Sequence, residues 1–127
     1  DWGRASWPVF YPSTLAVVNG VPDATTHLHT PKNILMQNYI CIGACHKMEM
    51  HRKTLGFEDW PMLEDWAYWA KAWIHGAVFE PVPGATYKAY IDDERPGRNV
   101  AQPAEVVIET CANIRAQYGA LARQAGI

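Results

Sequence analysis

The sequence lacks most of the patterns that announce a chemistry. Serine occurs twice, at Ser6 and Ser13, and neither lies in the Gly-x-Ser-x-Gly turn of serine hydrolases. There is no Gly-rich phosphate loop, and no run approaches the roughly twenty apolar residues that a helix needs to cross a bilayer, so no membrane-spanning helix is expected. Charge of one sign is also missing. Eleven Lys and Arg against thirteen Asp and Glu leave a formal charge of -2, with the basic residues scattered, so neither nucleic acid nor an anionic membrane surface is favoured as a partner. The adjacent carboxylates Glu64-Asp65 and Asp92-Asp93-Glu94 read as solvated surface. Cysteine is sparse: Cys41, Cys45 and Cys111 allow at most one intrachain disulfide and leave a thiol over. The chain begins at Asp1, which fits a processed, exported product, so a periplasmic or secreted location is expected.

What is present is apolar and aromatic. The chain has 127 residues, room for one domain, and is 49% hydrophobic with six Trp and six Tyr. Residues 1–30 hold three prolines and an Asn19-Gly20 turn signal between short apolar runs; they read as an extended arm carrying Trp2, Trp7, Phe10 and Tyr11, with a small hairpin around Leu15 to Val21 as an option. Thr30-Pro31 is a good helix start, and the pattern stays helical to about Leu55, with Gly56 as the stop and Gly43 marking close packing or a break. A second helix is signalled from Asp59 and Pro61 to Gly76, with Met62, Trp66, Trp69 and Trp73 along one face. Residues 77–99, interrupted by Pro81, Pro83 and Gly84, form a long connection in which Thr86 to Ile91 can be a short strand. A third helix is expected from about Pro103 to Gln124, with Val107, Cys111, Ile114, Tyr118 and Leu121 buried. The expected fold is therefore all-α: a small three-helix domain over residues 31–127, the arm before it and one long irregular connection within it.

Soft donors concentrate in one place. His27 and His29 precede Cys41-Ile42-Gly43-Ala44-Cys45-His46, and Met48, Met50 and His51 follow. The six-residue string resembles the haem-attachment motif of c-type cytochromes, with three residues between the cysteines where the usual motif has two. That resemblance implies haem c as cofactor, Cys41 and Cys45 as thioether anchors, and His46 as the proximal ligand. His27, His29, His75 and Met62 are then the candidates for the distal position, and Trp66, Trp69 and Trp73 an apolar wall beside the porphyrin. Two other readings use the same residues. Cys41 or Cys45 can instead bond to Cys111, tying the first and third helices, and the His and Cys side chains include zinc-type donors at unconvincing spacing.

Two functions follow. One is a small exported haem-c-like electron-transfer protein working with a larger redox enzyme. The other is a non-catalytic, disulfide-stapled helical accessory subunit whose aromatic surface docks on a larger periplasmic or secreted enzyme.

Overall fold

The computed structural model describes residues 7–18, 24–25, 30–40, 43–90 and 102–127. It is not all-α. A mixed sheet of four strands accompanies three α-helices, in the order β1 (Pro8–Val18), β2 (Ala24–Thr25), a short 3-10 helix (Pro31–Leu35), β3 (Cys45–His46), α1 (Met48–Lys53), α2 (Glu64–Ile74), β4 (Val78–Tyr90) and α3 (Ala104–Gln124).

The expected arm supplies the middle of the sheet. β1 pairs in parallel with β4 along its length, from Pro8 opposite Val78 to Val18 opposite Tyr90. Its other edge takes β3 at Val9 and Phe10 and β2 at Thr14 and Leu15, both antiparallel. The β2 pairing places the expected hairpin partner at Ala24–Thr25. The long connection is likewise a strand. β4 tolerates Pro81 and Pro83 because it is an edge strand among the described residues, and missing N–H groups are harmless on an open edge. Two extra residues bulge from β4 between the pairs Pro12–Val82 and Thr14–Thr86, where Gly84 takes a φ of +78°.

The expected first helix is also corrected. Pro31 starts a 3-10 helix of five residues, after which Tyr39 and Ile40 are buried side by side, and Cys45–His46 pairs with β1 before α1 begins at Met48. Pairing with a distant strand overrides the local helical pattern. Gly43 marks the break, and it also allows a close approach: a Cβ there would lie 2.5 Å from the Tyr87 ring.

The core lies on one face of the sheet. Trp7, Val9 and Tyr11 of the β1 segment and Phe79 of β4 point inward at period two. α2 is buried nearly all round, with Trp66, Ala67, Tyr68, Trp69, Ala70, Ala72 and Trp73 inaccessible, so it is the central helix. α3 closes the layer with Thr110, Ile114, Tyr118 and Ala122, a shifted version of the expected stripe in which Leu121 is exposed and Val107 and Cys111 are half-buried. The Tyr118 hydroxyl donates to the Glu58 carboxylate, tying α3 to the loop before α2.

All three helices end alike. The N–H two residues past the last helical cap reaches back five positions, in the bonds Gly56 to His51 O (2.9 Å), Ala77 to Ala72 O (2.9 Å) and Ile127 to Ala122 O (3.0 Å). The left-handed residue before each of these is Gly76 in α2 and Gly126 in α3, but Leu55 in α1, at φ +64°.

Candidate functional site

β3 delivers two consecutive residues to opposite faces of the sheet. Val9, opposite His46, is fully buried, whereas Phe10, opposite Cys45, is 45% exposed, so His46 faces the core and Cys45 faces solvent. Inside, His46 meets α2. Its Nδ1 lies 2.9 Å from the Lys47 carbonyl oxygen, which can only accept, so Nδ1 carries the proton. Nε2 then accepts from the Tyr68 hydroxyl at 3.3 Å. The ring also stands edge-on to Trp69 with centroids 5.6 Å apart.

Tyr68 is the hub of this cluster. Phe57 stacks on it at 4.5 Å, Trp69 meets it at 5.0 Å, and His46 and His51 each lie 5.5 Å away. Burial pushes its phenol above the ordinary value, with the Thr54 side chain opposing more weakly, so it stays protonated as a donor. The His51 imidazole is closed in by Gly56, where a Cβ would lie 2.8 Å from Nε2.

The other residues singled out from sequence go elsewhere. Trp66 donates its indole N–H to the Ile34 carbonyl at 2.6 Å and carries the Arg115 guanidinium 5.6 Å from its ring centre. Trp73 and Met62 are buried. His75 caps the C-terminal end of α2, where partial burial and then Lys71 hold its imidazole below the ordinary value. Cys45 and Cys111 are free thiols, so neither forms the expected bridge in this structure. Cys41, His27 and His29 lie outside the described residues. Among the described residues no three His, Cys, Asp or Glu side chains converge as a metal site, and no helix is long and apolar enough to cross a membrane.

This arrangement bears on the haem expectation. With Cys45 outside, His46 inside and Nε2 taken by Tyr68, these two residues do not present themselves to one porphyrin while β3 remains in the sheet. The cluster binds β3 and α1 to α2, with both nitrogens of His46 satisfied within the protein.

The solvent side of the sheet is a different surface. Alternation places Pro8, Phe10 and Pro12 of β1, Val78, Glu80 and Val82 of β4, and Cys45 of β3 on it. Phe10 is 45% and Val82 38% exposed, and Glu80 is the one charge in that row. A sheet face turned to water usually carries polar side chains; this end of it is mostly apolar, and polar ones return beyond the bulge at Thr14, Thr86 and Lys88. Sequence reading missed it because Trp7 to Pro12 is apolar at odd and even positions alike. Comparison with known proteins returned no family model, no curated protein and no solved structure that matches the chain.

Proposed function

We propose that the chain is a non-catalytic accessory subunit that docks on a larger protein through the outer face of its sheet. The observation that supports this is the apolar row Pro8, Phe10, Pro12, Val78 and Val82 around Cys45, turned away from the core. Aromatic and aliphatic side chains at the centre of such a face are where association free energy concentrates, and Phe10 is the anchor by size and exposure. The His46–Tyr68 cluster serves the same end by fixing β3, and with it Cys45, at the edge of that face.

A photo-crosslinker attached to the exposed Cys45 thiol tests the reading. It should join the chain to one partner in fixed stoichiometry in the source extract, and the product should vanish in a Phe10→Lys, Val82→Lys variant that keeps the wild-type circular dichroism. A product that survives both substitutions rejects the reading. The electron-carrier alternative rests on the Cys41-to-His46 string, and the same preparation separates it by a Soret band and a haem mass that outlasts denaturation.

A further inference from the structure

A second surface lies at the far end of α1, built on Leu55. In the corresponding left-handed position α2 and α3 use Gly76 and Gly126, the residue that adopts it without strain. α1 holds a leucine there, one residue ahead of its own glycine, and the leucine side chain is 89% exposed. The backbone strain works against folding and the exposed side chain gains no burial to offset it, so the side chain is presented rather than stored. The tip is braced from beneath. Lys71 Nζ donates to the Gly56 carbonyl at 2.8 Å, the Thr54 hydroxyl to the Met50 carbonyl at 2.9 Å, and Phe57, itself 47% exposed, rests on Tyr68.

The surroundings are apolar and basic. Met48, 60% exposed, opens α1; Lys47, Arg52 and Lys53 are exposed along it, with Glu49 as the one acid between Lys47 and Phe57. Arg52 follows Met48 by four positions, so the two share a helix face. Beyond Phe57, Glu58 is held by the Tyr118 hydroxyl, and Asp59 is exposed.

We infer that α1 and its Leu55 tip form an interfacial anchor for an anionic lipid surface: Leu55, Phe57 and Met48 enter the headgroup boundary while Lys47, Arg52 and Lys53 meet the phosphates. Shape favours lipid over protein. A side chain almost wholly exposed stands clear of its neighbours, so the surface is convex; a protein partner would need a matching cavity, whereas a bilayer interface conforms to whatever enters it. Charge points the same way: although the whole chain's composition does not favour an anionic surface, the exposed Lys47, Arg52 and Lys53 outnumber the single acid Glu49 along α1 and complement anionic headgroups.

Co-sedimentation of the intact chain with phosphatidylcholine vesicles, plain or containing about a third phosphatidylserine, tests this. At low salt the chain should pellet with the anionic vesicles and release as salt rises. Leu55→Gly should lower partitioning about tenfold, the loss of one inserted leucine side chain, without lowering the unfolding midpoint. Arg52→Glu with Lys53→Glu should lower it by about twenty-five-fold or more, at roughly fivefold for each basic contact. No binding at low salt, equal binding to both vesicle types, or binding that Leu55→Gly leaves intact overturns the inference. So does a protein contact abolished by Leu55→Gly while vesicles go unbound.

Discussion

The Tyr68 hydroxyl on α2 donates to Nε2 of His46 on β3 across 3.3 Å, and the Lys47 carbonyl oxygen, 2.9 Å from Nδ1, fixes the tautomer that makes this direction possible. Tyr68→Phe removes the donor and keeps the ring stack on Phe57. The expected cost is about 1 kcal/mol in urea unfolding, the net worth of one hydrogen bond. Tyr68→Phe in a His46→Ala background should cost less, since the acceptor is already gone; an equal cost in both backgrounds would show that the contact contributes nothing.

The two tryptophans of α2 should respond differently to truncation. Trp66 donates from a buried indole to the Ile34 carbonyl at 2.6 Å, whereas the buried Trp69 N–H has no partner among the described residues. Trp66→Phe strands a buried acceptor, and Trp69→Phe strands none. Unfolding free energies should therefore fall further for Trp66→Phe, by about 1–2 kcal/mol. Equal losses would reduce both residues to packing volume.

At Gly43 a methyl group has nowhere to go. A Cβ would stand 2.5 and 2.8 Å from two atoms of the Tyr87 ring, so Gly43→Ala should destabilise by about 1–3 kcal/mol. Tyr87→Ala should abolish most of that difference. If the double variant shows the full penalty, the strain arises in the backbone at residue 43 and not at the ring.

Asp65 sets a pH dependence. Burial raises its carboxyl above the ordinary 3.8, outweighing the Trp66 N–H and the Asn38 side chain that favour the anion. The native state thus binds this proton more tightly than the unfolded chain does. Its stabilising contribution is full below pH 3.8 and is lost as pH rises through the native value. Asp65→Asn should therefore gain on the wild type as pH climbs from below 3.8 towards neutrality, read from denaturation midpoints at several pH values. A gap independent of pH would remove burial as the cause.

Helix ends were the legible part of this fold because they are settled within a few residues. Gly76 and Gly126 stop α2 and α3 as the sequence suggests, and the Pro103 start is within one residue of the observed helix. The strands were not legible. Trp7 to Pro12 is apolar on both faces, so no polar alternation marks it, and the partner that makes it a strand begins at Val78. The same pairing captures Cys45 and His46 and breaks a helix that local spacing allowed. At the candidate site His46, His51 and Trp69 were named from sequence and do gather on one ring, but that ring, Tyr68, and Phe57 were not, because α2 brings Tyr68 to β3 across a separation that no spacing within residues 41–51 encodes. The apolar tip was hidden by Gly56, which reads as an ordinary stop while Leu55 takes the strained place before it.

The parallel pairing of β1 with β4 sets a schedule for biosynthesis. Pro8 waits for Val78 to be made, and at ribosomal rates of about 5–20 residues per second that interval lasts roughly 4–14 s. Throughout it, the strand that will anchor the sheet leaves the ribosome without its principal neighbour. Yield in cells should therefore depend on elongation speed and on chaperones that shelter a nascent hydrophobic stretch, more than on the stability of the finished molecule.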